Sequence, residues 1–253
     1  MDAMEWGESR EIEGGIVERR FRLARASGDV PGVLWTRGAV GTDAPLVLLG
    51  HGGGGSKTGP SQLDARDAYT GGLGMATAAI DGPAHGDRGP VTDSTQPEYR
   101  AMWQRPGVVD TMVEDWQATL DALLATGEFD AGAVGYHGLS MGTMFGMPLV
   151  AAEPRIAAAV LGLCGTAGSS IDRSGIGGRL AADAPRVRCP VLFHFQWDDE
   201  RFTREGSLAM FDLLGTPDKR LQSSPGQHID TPPEAHAALV SFLGGRLRAR
   251  TPA

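Results

Sequence analysis

The pentapeptide Gly138-Leu139-Ser140-Met141-Gly142 places a serine at the centre of a G-x-S-x-G pattern. An apolar, strand-like segment precedes it and a helix-like segment follows, which is the context in which this pattern forms a sharp strand-to-helix turn. Such a turn holds the serine Oγ clear of the backbone. Glycines are needed two residues on either side, because larger side chains there would collide with the neighbouring strand or helix. The sequence therefore predicts a nucleophilic serine for acyl transfer, provided that a base and an acid lie near it.

A second candidate for chemistry is the run of four glycines in LVLLGHGGGGSKTG (46–59). It fits a domain linker, a phosphate-binding loop or a loop whose N–H groups bind an oxyanion. The linker is disfavoured because the glycines directly follow a strand-like segment. The phosphate loop needs a glycine before its lysine, and Ser56 precedes Lys57 here. In the third interpretation Met141, the residue after the nucleophile, supplies one N–H donor and the glycine loop supplies the other. A tight turn without a catalytic role remains the alternative.

Strand-like and helix-like segments alternate along the chain, which predicts βαβ units and a mostly parallel sheet. The clearest helix covers 108–127, with apolar residues at spacings of three and four, and a proline-initiated helix over 232–247 closes the chain. We expect a single α/β domain over 1–253. The eight strand-like segments are 15–24, 32–37, 44–50, 74–81, 131–138, 156–165, 190–196 and 219–224.

The overall composition is that of a globular protein: 253 residues, 41% hydrophobic and 21% charged. A net charge of −8 argues against a nucleic-acid partner or an anionic membrane surface. The acidic N-terminal segment lacks the pattern of a signal peptide, and no apolar run reaches the roughly 18 residues of a membrane span. We therefore expect a cytoplasmic protein with no membrane partner and with Cys164 and Cys189 reduced.

The order of these motifs resembles the α/β-hydrolase-fold serine hydrolases, closest to the dienelactone-hydrolase-like and small esterase branches. The resemblance covers nearly the whole chain. It includes the glycine-rich loop 51–55, the segment DGPAHGDR (81–88), which is similar to the family's D-x-x-G-H-G loop, and the serine turn. It implies an α/β-hydrolase fold: a mostly parallel eight-stranded sheet, helices on both faces and a small cap or none. It further implies a triad in the order Ser, Asp, His, and a second oxyanion donor at Gly53, with Gly54 as the next candidate.

The general base is expected to be a histidine, because its pKa lies near neutrality. His228 follows Pro225-Gly226 and precedes the closing helix, so it lies in a loop that can reach Ser140. The other five histidines lie in loops, strands or the final helix and are expected to be structural or exposed: His51, His85, His137, His194 and His236.

Two neighbouring carboxylates, Asp198 and Asp199, compete for the role of the triad acid. The family pattern is a strand followed by G-x-x-D, and Gln196 occupies the glycine position, which makes Asp199 the match. Because Gln196 departs from the pattern, Asp198 remains the alternative.

A metal site is the competing use of the acidic and histidine residues in DGPAHGD (81–87). The spacing of Asp81, His85 and Asp87 matches no strong zinc signature, and Asp81 is interpreted as a turn residue. We expect neither a metal nor an organic cofactor.

Two connecting segments, 88–107 and 166–188, are too long for simple connections and too short for a separate cap domain, so they are candidates to overhang the site. Trp103, Trp197 and Phe145 are the candidate substrate contacts. A small cap favours small or medium esters, lactones or related acyl compounds.

The predicted function is hydrolysis of a carboxylic ester, or of a lactone or thioester-type acyl bond, through a Ser140-His228-Asp199 triad and an acyl-enzyme. The expected partner is a small-molecule ester, and a homodimer remains open. Alternatives on the same fold are a peptidase or amidase and an acyltransferase or perhydrolase. A non-catalytic binding protein is the alternative from another class.

Overall fold

The computed structural model describes residues 4–38 and 43–249. Residues 1–3, 39–42 and 250–253, which the predicted 1–253 domain includes, lie outside the described residues. In the described part of the chain, nine strands form one sheet in the order β1-β2-β3-β5-β4-β6-β7-β8-β9. The strands are β1 (Met4–Ile12), β2 (Ile16–Leu23), β3 (Val30–Arg37), β4 (Ala44–Gly50), β5 (Ala76–Ile80), β6 (Phe129–Leu139), β7 (Ile156–Gly162), β8 (Val191–Gln196) and β9 (Lys219–Ser224).

The sheet changes character along its width. The pairs β1-β2, β2-β3 and β3-β5 are antiparallel, whereas every pair from β5 across to β9 is parallel. Parallel strands need crossover connections, which the helices supply. The prediction of an α/β-hydrolase fold with a mostly parallel sheet and helices on both faces is confirmed.

The strand count is the correction: the sequence predicts eight strands, and the described residues form nine. The additional strand is β1, whose nine residues are all at least partly exposed. Its backbone pairs with β2 at the sheet edge. Because an exposed edge strand buries neither face, it lacks the alternation of polar and apolar residues by which strands are predicted.

The helices connect the strands and enclose the sheet. They are α1 (Pro60–Arg66), α2 (Pro97–Trp103), α3 (Val108–Leu124), α4 (Met141–Ala152), α5 (Ser169–Ser174), α6 (Gly177–Asp183), α7 (Arg204–Leu213) and α8 (Pro233–Arg248). A π-helical turn, Asp67–Gly72, continues α1. The helices predicted over 108–127 and 232–247 correspond to α3 and α8, with α3 ending three residues early.

Successive residues of the central strands belong to two cores on opposite faces of the sheet. In β4, Leu46 and Leu48 pack with the core that contains α3 and α4, and Val47 and Leu49 pack with the core that contains α8. Side chains alternate between the faces of a strand, so a strand buried on both faces is a continuous apolar run. The two cores pack against both faces of the strands whose carboxyl ends carry the candidate site.

Candidate active site

Ser140 lies between the end of β6 and the start of α4, at φ 59° and ψ −122°. This backbone conformation is unfavourable for any residue other than glycine and costs about 1–3 kcal/mol. The Ser140 N–H donates to the Gly162 carbonyl at 2.9 Å, and the Ser140 carbonyl accepts from the backbone of Thr143 and Met144. Hydrogen bonds on both sides therefore keep the serine in its strained turn.

The glycines that flank Ser140 are required by close packing. A Cβ at Gly142 would lie 2.4 Å from the carbonyl oxygen of Gly50, and a Cβ at Gly138 would lie 2.7 Å from that of Gly142. Both contacts are with backbone atoms, which cannot move aside as a flexible side chain can. The prediction that these positions must be small therefore has a direct steric reason.

Two buried side chains that sequence reasoning missed lock this turn. Thr143 Oγ1 lies 2.7 Å from both the Gly138 and Gly162 carbonyl oxygens and accepts the Gly162 N–H at 2.8 Å. Tyr136 donates its hydroxyl to the Gly142 carbonyl at 2.6 Å. The only signal in the sequence was the presence of polar groups inside apolar runs, since such groups need buried partners.

The structure brings Ser140, His228 and Asp199 into one chain of hydrogen bonds. His228 Nε2 lies 2.9 Å from Ser140 Oγ, and His228 Nδ1 lies 2.8 Å from Asp199 Oδ2. An ionised carboxylate only accepts hydrogen bonds, so the ring proton belongs on Nδ1 and the Nε2 lone pair faces the serine hydroxyl. This arrangement suits transfer of the Ser140 proton to His228.

Asp199 is held so that it can orient the imidazole. Its Oδ1 accepts the backbone N–H groups of Arg201 and Phe202 at 2.8 and 3.0 Å, and its side chain is 2% exposed. Asp198, the alternative acid, is 67% exposed and lies 3.7 Å from Arg204. The geometry therefore places Asp199, and not its neighbour, against the histidine.

Glu200, which the sequence did not single out, anchors the backbone of the histidine loop. Its Oε2 accepts the His228 N–H at 2.9 Å. Burial raises the pKa of Glu200, but its hydrogen bonds, with that to His228 foremost, leave the pKa below the ordinary value. The carboxylate is therefore charged at neutral pH and contributes to positioning His228.

The glycine run forms a tight turn beside the serine. The Gly55 N–H donates to the Gly52 carbonyl at 2.9 Å, which leaves Gly53 and Gly54 at the centre of the turn. Within the described ranges, no partner accepts the N–H of Gly53 or Gly54. Met141 is the first residue of α4, so its N–H has no acceptor within the helix. None of the three predicted oxyanion donors is therefore engaged in a backbone hydrogen bond within the described residues.

Two histidines, His51 of the glycine loop and His85, connect this turn to the segment DGPAHGDR (81–88). His51 Nε2 accepts the Gly82 N–H at 2.8 Å, so its proton lies on Nδ1, which donates to the Gly52 carbonyl at 2.9 Å. Burial lowers the pKa of His51 to about 4, so the ring is neutral at physiological pH. His85 Nε2 lies 3.1 Å from the Gly53 carbonyl oxygen, and this contact orients the adjoining peptide.

Two of the three residues considered as a metal site, Asp81 and Asp87, instead form an ion-pair cluster with Lys57. Lys57 Nζ lies 2.6 Å from Asp81 and 2.7 Å from Asp87, and the Lys57 N–H also donates to Asp81. Hydrogen bonding to Lys57 lowers the pKa of Asp87. Within residues 4–38 and 43–249, no group of three His, Cys, Asp or Glu side chains is arranged to hold a metal ion.

The three aromatic residues expected to contact substrate lie elsewhere. Trp103 and Phe145 are buried and stack on each other with ring centroids 4.6 Å apart. Trp197 is 40% exposed and lies beneath the guanidinium of Arg204, at 4.5 Å. None of the three lines the cavity beside Ser140, because helix packing directs the first two into the core and the Arg204 contact holds the third at the surface.

A cavity of about 1130 Å³ opens beside Ser140 and His228. Asp93 and Ser94 from the segment 88–107 border it, together with Arg201, whose guanidinium lies 3.3 Å from Ser94 Oγ. In the same segment, the Tyr99 ring packs directly on Gly53. The segment 88–107 therefore covers the glycine turn. The segment 166–188 folds into α5 and α6, and α5 contacts α2.

Comparison with solved structures shows a similar chain in a PEG-bound complex of a cold-adapted esterase from an Arctic intertidal metagenomic library. It is 35% identical, with a TM-score of 0.83, and 96% of this chain and 99% of that chain are covered. Acetyl xylan esterase 1 from Thermoanaerobacterium sp. superposes with a TM-score of 0.77 at 13% identity, covering 97% and 88% of the two chains, which shows the fold alone.

Comparison with protein-family models and with curated proteins found no match. No helix in the described part of the chain is long and apolar enough to cross a membrane. The similarity to the Arctic esterase, at 35% identity, extends over nearly the full length of both chains. The protein therefore belongs to the α/β-hydrolase family of serine hydrolases that includes this esterase.

Proposed function

We propose that the protein hydrolyses carboxylic esters with Ser140 as nucleophile, His228 as general base and acid, and Asp199 as the residue that orients the histidine. The observation that carries this proposal is the hydrogen-bond chain from Ser140 Oγ through His228 to Asp199, at 2.9 and 2.8 Å. Membership in a family with an esterase 35% identical to this chain supports the choice of ester substrates.

In the first half of the reaction, Ser140 Oγ attacks the ester carbonyl carbon as its proton passes to His228 Nε2. The carbonyl oxygen becomes an oxyanion, which accepts hydrogen bonds from the N–H groups of Met141 and of Gly53 or Gly54. When the carbon–oxygen bond to the alcohol breaks, His228 returns the proton to the leaving oxygen. The acyl group remains on Ser140 as an ester.

In the second half, water takes the place of the alcohol. His228 Nε2 accepts a proton from the water as its oxygen attacks the acyl carbon, and the same oxyanion donors stabilise the second tetrahedral intermediate. Collapse of that intermediate releases the carboxylic acid, and His228 returns the proton to Ser140 Oγ. Asp199 stays ionised and stabilises the imidazolium in both halves.

The first test is covalent labelling with a small fluorophosphonate, measured by intact mass. We expect one adduct on the wild type, none on Ser140→Ala and strongly slowed labelling of His228→Ala. Ser9→Ala, which alters an exposed serine on β1, is the matched control and should label like the wild type. A wild type that forms no adduct would overturn the proposal and favour the non-catalytic binding protein.

A second test separates the reactions that share this machinery. Matched ester and amide substrates of one acid distinguish an esterase from a peptidase or amidase. Product analysis with added alcohol or peroxide detects acyl transfer to an acceptor other than water. The proposal predicts fast release of free acid from the ester, little amide cleavage and little transfer product.

A further inference from the structure

The cavity that contains Ser140 continues away from the triad as a groove between α1 and α8. Leu49 of β4 and His137 and Leu139 of β6 line it. Leu49 and His137 are paired neighbours in the sheet, and Leu139 is two residues further on, so all three point to the same face. The carboxyl ends of two parallel strands therefore form the floor of the groove, which begins at the nucleophile.

One wall of the groove is a stripe along the whole of α8. Its residues recur at spacings of three or four: Pro233, Ala237, Val240, Gly244 and Arg248. At 1.5 Å per residue, this stripe is roughly 22 Å long. Ala65 of α1 and Ala68 of the following π-helical turn line the opposite wall. The small side chains of Ala65, Ala68 and Ala237 leave space between the two helices, whereas at Gly244 the Leu73 side chain fills the gap, 2.5 Å from where a Cβ would lie, and closes the far end of the groove.

The groove suits an uncharged, apolar occupant. His137 is buried, its Nδ1 lies 2.9 Å from the Tyr69 hydroxyl, and burial lowers its pKa to about 3, so the floor is neutral. Of the charged groups that border the cavity, Asp64 and Arg248 are exposed, and Arg248 donates to the Leu73 carbonyl at 2.7 Å; Asp93 and Arg201 lie at the triad end. At the mouth of the groove, Ile229 directly follows His228 and is 79% exposed. This large aliphatic side chain therefore presents apolar surface at the entrance.

We infer that this groove binds an unbranched aliphatic chain of the substrate, so that the preferred substrates are esters with a medium or long alkyl chain. The inference rests on the proposed function, since it assigns a subsite to the same nucleophile. Continuity of the groove with Ser140 identifies the occupant as part of the ester itself. The hydrophobic effect favours such a chain by about fourfold for each methylene removed from water.

The test blocks the groove without altering the triad. Ala237→Trp and Val240→Trp each place a large ring in the groove, and the exposed position of Ala237 makes its replacement compatible with folding. Ala238→Trp is the matched control, because Ala238 is an exposed neighbour on α8 that does not line the groove. The readout is kcat/KM on two series of p-nitrophenyl or alkyl esters, one varying the acyl chain from acetate to laurate and one varying the alcohol.

We expect the wild type and Ala238→Trp to prefer longer chains in one series, which identifies whether the acyl or the alcohol chain enters the groove. In Ala237→Trp and Val240→Trp the ratio of long-chain to acetate kcat/KM should fall by at least about tenfold, with acetate hydrolysis unchanged. An unchanged ratio in both variants, with acetate still cleaved, would overturn the groove but leave the esterase proposal standing. A wild type that cleaves none of the esters would overturn both.

Discussion

The geometry around Asp199 predicts that Asp199→Asn almost abolishes turnover while leaving the fold intact. Oδ1 accepts two backbone N–H groups, from Arg201 and Phe202, and an asparagine carbonyl oxygen can retain both. The amide NH₂ then replaces Oδ2, which lies 2.8 Å from His228 Nδ1. Because the amide donates and does not accept, it stabilises the tautomer with the proton on Nε2. In that tautomer Nε2, the nitrogen that faces Ser140, has no lone pair with which to accept the serine proton.

The magnitude follows from the loss of the base. A tautomer error of this kind lowers kcat by about 10⁴ in serine proteases, which corresponds to about 5 kcal/mol of transition-state stabilisation. We expect a similar loss in the hydrolysis of p-nitrophenyl acetate, with an unchanged circular dichroism spectrum and a melting temperature close to that of the wild type.

Asp198→Asn is the internal control, since the Asp198 side chain is 67% exposed and lies 3.7 Å from Arg204. It should retain wild-type kcat within about twofold, because exposed charges change local energies little. A folded Asp199→Asn protein that keeps more than a tenth of the wild-type kcat would refute the assignment of the acid. Loss of activity in the Asp198 variant alone would instead assign the role of triad acid to Asp198.

Three further predictions concern the groups that hold the site. Replacing His85 by Phe removes its contact with the Gly53 carbonyl and should lower kcat by about tenfold to a hundredfold, with KM nearly unchanged, in steady-state assays. An unchanged kcat would show that the glycine turn keeps its conformation without His85. Thr143→Val leaves buried backbone groups without partners and should lower the free energy of unfolding by about 1–3 kcal/mol in urea titrations, whereas Thr143→Ser should retain most of it. His51 and His137 have folded-state pKa values of about 4 and about 3, so below pH 6.5 the unfolded chain binds protons that the folded chain does not. Unfolding free energy should therefore be maximal above pH 6.5 and fall by about 2 kcal/mol for each of these histidines between pH 7 and pH 5; an unfolding free energy that is the same at both pH values would contradict their burial as neutral rings.

Local sequence patterns were sufficient to predict the serine turn and the parallel part of the sheet. Both depend on interactions between residues close in sequence, or on burial that affects every residue of a strand. Gly138 and Gly142 are needed at fixed distances from Ser140, and a strand buried on both faces is a continuous apolar run. In contrast, β1 was missed, because its pairing depends on backbone hydrogen bonds along an exposed edge, which impose no apolar pattern.

The choice of acid and the lining of the cavity required the tertiary structure. Asp198 and Asp199 have the same chemistry and adjacent positions, and only the path of the loop decides which carboxylate meets His228 across 29 residues of sequence. Likewise, Trp103 belongs to the segment 88–107, which was expected to overhang the site, but helix packing directs its ring into the core. Sequence alone determined which reactive groups are present and the local turns that present them. Their distances, and the space left for a substrate, arise from contacts between segments far apart in the chain, and no local pattern encodes them.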